Sequence, residues 1–83
     1  MTAETLNKLV DMETSRLRMQ LEDIERVLAD YEKQHGMSSA EFFQKYNSGQ
    51  TDDRMDYVEW ASLTQMAEHL RQKIKSVSVE ENQ

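Results

Sequence analysis

The 83-residue chain contains no cysteine, no proline and only two glycines, and aromatic residues make up 7% of it. Without cysteine there is no disulfide framework and no thiolate metal site, and nothing marks an oxidising compartment. Without proline, no helix has to break at a missing amide donor. No stretch approaches the roughly 18 consecutive apolar residues of a membrane span. Met1 to Val10 carries Glu4 and lacks the apolar run of a signal peptide, so a cytoplasmic location is expected. Apolar residues are also scarce, at 37% against 31% charged. A chain this short then has little to bury against an ordering entropy of roughly 1.5 kcal/mol per residue. That shortage predicts a homo-oligomer.

The net charge of −6 is unevenly placed. Acids and bases balance in residues 1–19 and again in 61–83, whereas residues 20–60 hold ten acids against Arg26, Lys33, Lys45 and Arg54. An acidic middle repels a phosphate backbone, so direct nucleic-acid binding is not expected. It suits a basic protein surface. The plainer alternative is a solvated helical face and a polar loop.

Gly36 and Gly49 stand where helix C-caps should fall and divide the chain into three segments. The prediction is an all-α antiparallel hairpin: a long helix over about 3–35, a short one over about 39–47, and a third over about 53–77. Residues 1–77 form one helical domain in this reading, and Ser78 to Gln83 a flexible tail. Leu17, Leu21, Ile24, Leu28 and Tyr31 follow the 4-3-4-3 spacing of a coiled-coil seam. Trp60, Leu63, Ala67, Leu70, Ile74 and Val77 repeat it at 3-4-3-4-3. Two seams of one period are expected to pack on each other as the hairpin core. Leu9, Met12 and Met19 run on a second face, and Leu6 precedes them. An apolar helix with two faces needs two neighbours, so these four are candidates for contact with another chain. The third helix is also the shorter, so the N-terminal turns of the first are expected to project.

The corner Gly36-Met37-Ser38-Ser39-Ala40-Glu41-Phe42-Phe43 concentrates local signals. Ser38 and Glu41 form a capping box, and Met37 with Phe42 forms a hydrophobic staple. Phe42, Phe43 and Tyr46 then give the short helix a bulky face that can plug one end of the hairpin. Met55, Tyr57 and Val58 are expected to meet it. Asp52 or Asp53 is expected at the start of the third helix, where its dipole favours negative charge.

Chemistry is sparse. Asp52, Asp53, Asp56 and Glu59 make an acidic surface for a partner, without the glycine-punctuated ligand ladder of a calcium loop. Glu32-Lys33-Gln34-His35 spells the E-x-x-H pair of di-iron bundles. His35, however, ends its helix, and Glu68 and His69 are adjacent and point apart, so no second pair faces it. His35 is expected instead to complement the helix C-terminus, and His69 to lie at the surface. No nucleophile–base set, phosphate loop or nucleotide fingerprint is present. No metal and no cofactor are expected, and the chain does not read as an enzyme.

The corner motif, Gly49, Asp52-Asp53 and Tyr57-Val58-Glu59-Trp60-Ala61 together resemble a family of small bacterial antitoxins of toxin–antitoxin pairs. The resemblance covers Leu28 to Leu70. It implies a protein that wraps or caps a toxin by direct contact, often as an oligomer. His35 stands where the family commonly has an aromatic residue. Longer members carry an N-terminal segment suited to operator DNA, where this chain has only a helical extension. A structural or adaptor coiled-coil oligomer and, further off, a ferritin-like di-metal hairpin are the alternatives.

Overall fold

The computed structural model describes the backbone of residues 2–81 and the side chains of residues 2–77. Three helices follow in order: α1 (Ala3–His35), α2 (Ser39–Asn47) and α3 (Met55–Glu81). Each boundary has a local cause. Thr2 caps α1, its hydroxyl accepting the Thr5 amide at 3.1 Å. Gly36 ends α1 in the left-handed region at φ 67°, its N–H donating to the Glu32 carbonyl at 2.8 Å. Ser38 caps α2 by accepting the Glu41 amide at 3.1 Å. At the far end of α2, Gly49 (φ 76°) donates to the Tyr46 carbonyl and Gln50 to that of Lys45. Those two bonds make a Schellman motif.

Two boundaries depart from expectation. α3 starts at Met55, with the Arg54 carbonyl accepting the Val58 amide. Asp52 and Asp53 therefore precede its first turn, and only Asp56 lies within it. The Asp52 carboxylate instead accepts the Arg54 amide at 3.3 Å, a turn contact. At its other end α3 runs to Glu81, so the expected tail is helical from Ser78 to Glu81. Asn82 and Gln83 lie outside the described residues.

α1 and α3 pack antiparallel. Tyr31 stacks on Trp60 near one end, while Glu25 meets Arg71 further along, so one number falls as the other rises. Leu17, Leu28 and Ile74 are buried on this seam, and Leu21, Ile24, Leu63 and Leu70 are half-buried. Ala67 is fully buried, and its small side chain lets the helices approach. Thr14 occupies a buried seam position, made tolerable by its hydroxyl donating to the Val10 carbonyl at 2.9 Å. α2 crosses the corner end only, placing Phe42 and Ser39 in the core and half-burying Phe43. The molecule measures 53 × 21 × 18 Å.

Candidate interaction surfaces

The corner is built around Trp60, which has no exposed surface. Phe42 of α2 stacks on it at 3.8 Å between ring centroids and 5° between planes. From α1, Tyr31 stacks at 5.3 Å and His35 at 5.1 Å. Tyr57 joins edgewise to His35 and at a tilt to Phe42. Each such pair adds about 0.5–1.5 kcal/mol beyond area burial.

A buried indole N–H needs an acceptor. Trp60 Nε1 donates to the Ser39 hydroxyl at 2.9 Å, and the Ser39 backbone N–H donates to the Glu32 carboxylate at 2.8 Å. This chain of two bonds ties α3 to α2 and α2 to α1. It also corrects the capping box: the Ser38 half is present, but Glu32 from the preceding helix serves the start of α2. Glu32 is thereby committed to a structural bond. His35 stands in the last turn of α1, as expected, and also takes part in the corner. It is half-buried in the aromatic stack, and its Nε2 is buried without a hydrogen-bond partner. Among the described residues no group of three or more His, Cys, Asp or Glu side chains is placed to hold a metal ion.

The acidic surface is less uniform than its sequence. Asp56 pairs with Arg54 at 3.2 Å, and the Arg54 guanidinium also lies over the Tyr57 ring at 4.8 Å. Burial, together with the neighbouring Glu59 and Asp56 carboxylates, pushes the Tyr31 phenol above its ordinary value. Asp52, Asp53 and Glu59 are exposed. Met55, expected to meet the α2 aromatics, is 82% exposed: with α3 starting there, its side chain lies beyond the plug.

The N-terminal half of α1 differs in kind. Every residue from Thr2 to Leu9 is exposed, and Leu6, Leu9, Met12 and Met19 are 46–66% exposed. At 100° per residue they do not share one stripe. Leu6 continues the hairpin seam past the end of its packing, Leu9 turns to one side, and Met12 and Met19 lie together on the back. A shallow depression lined by Lys8, Asp11, Met12, Ser15, Arg16 and Met19 marks that back face. Arg16 is held there by Glu13 at 2.6 Å, a bond that keeps the Glu13 carboxyl below its usual range.

Two grooves lie along the hairpin. One, of about 790 Å³, involves all three helices and is lined mainly by polar side chains such as Glu25, Gln44, Gln65 and Arg71. The other, of about 430 Å³, involves α1 and α3 alone and has Ile24, Met66 and Leu70 along it. Ser39 and Glu32 were the residues that sequence reasoning missed. The usable signal was the lone tryptophan, whose indole N–H must find an oxygen once buried. Comparison with protein-family models, with curated proteins and with solved structures finds no match for this chain. No helix is long and apolar enough to cross a membrane among the described residues.

Proposed function

We propose that this chain is a non-catalytic, antitoxin-like interaction module that neutralises a small basic toxin by direct contact. The supporting observation is the N-terminal half of α1, where Leu6, Leu9, Met12 and Met19 stay in water around several sides of one helix. A helix with apolar groups on more than one side suits a partner that surrounds it, as in helix-in-groove recognition. Burying each such side chain is worth about 1.5–3 kcal/mol, so a few anchors suffice for tight binding. The exposed acids Asp52, Asp53 and Glu59 would draw a basic partner by accelerating encounter. The toxin class itself comes from the resemblance over Leu28 to Leu70.

The test is co-expression with the product of the adjacent reading frame. A toxic neighbour should be silenced by this chain and co-purify with it. Leu9→Glu combined with Met12→Glu should abolish both effects while helix content stays unchanged. A neighbour that is harmless alone, or rescue undiminished by the double change, would contradict the reading. A structural oligomer without a toxin is the second reading, favoured by the uncovered groove between α1 and α3.

A further inference from the structure

We infer that the α1–α3 groove free of α2 is the contact face for a second copy of this chain, completing a four-helix arrangement from two hairpins. This rests on a different surface from the toxin-binding reading and stands independently of it. The groove carries Ile24 and Leu70 half-buried along its length and Met66 half in water. Val27 extends it along α1 at 38% exposure. A hairpin packs two helices and leaves this side uncovered.

The charges on the two walls select the occupant. Asp23 lines the α1 wall and Lys73 the α3 wall. Both are exposed; Asp23 pairs with Arg26 on its own helix at 2.9 Å, whereas Lys73 forms no ion pair among the described residues. A two-fold axis running along the groove lays α1 over α3 of the second copy, antiparallel. At that level Asp23 meets Lys73 of the second copy, and Lys73 meets its Asp23. The face is thus self-complementary, as a two-fold interface requires. Nearer the corner the same groove line holds Asp30 and Asp56 on opposite walls. The same operation would bring acid against acid there, which confines the contact to the half of the hairpin from Val27 toward the start of α1.

The experiment is sedimentation of the full chain at high micromolar concentration, with four variants. Wild type should sediment at twice the 9.8 kDa chain mass. Met66→Glu should sediment as a monomer with unchanged helix content, because Met66 is half in water in the single chain. Asp23→Lys alone and Lys73→Asp alone should each raise the dissociation constant about tenfold, through two like-charge contacts per dimer. Mixing those two proteins should restore the dimer, since both contacts between the copies then join a lysine to an aspartate. Met12→Glu, on the back of α1, should leave the mass unchanged. A monomeric wild type overturns the inference. So does a dimer indifferent to Met66→Glu, a mixture no tighter than the single variants, or a dimer lost through Met12→Glu.

Discussion

The two ends of the hairpin use similar side chains in opposite ways. At the corner, Trp60, Phe42, Tyr31 and His35 stack from three helices, and the indole N–H is satisfied through Ser39. At the open end, Leu6, Leu9, Met12 and Met19 meet no third helix and remain exposed. A core needs several elements converging on one point, and α2 is long enough to supply that only at the corner. Stability is therefore expected to reside at one end and capacity for contact at the other.

The largest break in this contrast should come from Phe42→Ala. Phe42 is 2% exposed against the fully buried Trp60, and a buried Phe→Ala change costs about 3–5 kcal/mol. In a chain of this size that removes most of the stability, so thermal melting followed by circular dichroism should show little folded protein at room temperature. Next is Ser39→Ala, which strands the Trp60 N–H away from water. An unsatisfied buried donor costs about 1–3 kcal/mol, readable as a lower urea midpoint. Gly36→Ala should follow. Nothing lies within 4 Å of the added methyl, so only the φ of +67° opposes it, at about 1–2 kcal/mol.

A pH effect is smaller and confined to alkaline solution. The Tyr31 phenol is raised in the folded state, chiefly by burial and then by Glu59. The unfolded chain therefore releases that proton first, near pH 10. Stability from Tyr31 is present below that pH and declines as pH rises through the folded value. Tyr31→Phe should flatten the alkaline decline of the urea midpoint; an unchanged slope would remove Tyr31 as its source. Smallest of all, Met12→Glu should alter stability by no more than about 0.5 kcal/mol. If it destabilises as Ser39→Ala does, the back of α1 is not a free surface.

Much of the architecture was legible because local rules agree along this chain. The glycines, the Ser38 cap and the matched seams place α1 and α2 at the expected bounds, and α3 within a few residues of them. Helix ends without glycine or a clear cap were less legible. Asp52 and Asp53 looked like the start of α3, yet the turn uses Asp52 for itself and begins the helix at Met55. The Glu32–Ser39–Trp60 chain could not be read from spacing, since its members lie on three helices and meet only after packing. His35 lies in the last turn of α1 as expected, but its stacking on Trp60 was not legible for the same reason, since that contact forms only once α3 packs.

Native-state hydrogen exchange of the full chain tests the division between the two ends most directly. Amides of residues 28–32 and 60–64 should exchange only on global unfolding, whereas those of residues 6–10 should exchange by local fraying, orders of magnitude faster. Uniform protection along α1, with residues 6–10 exchanging as slowly as the corner, would contradict the account.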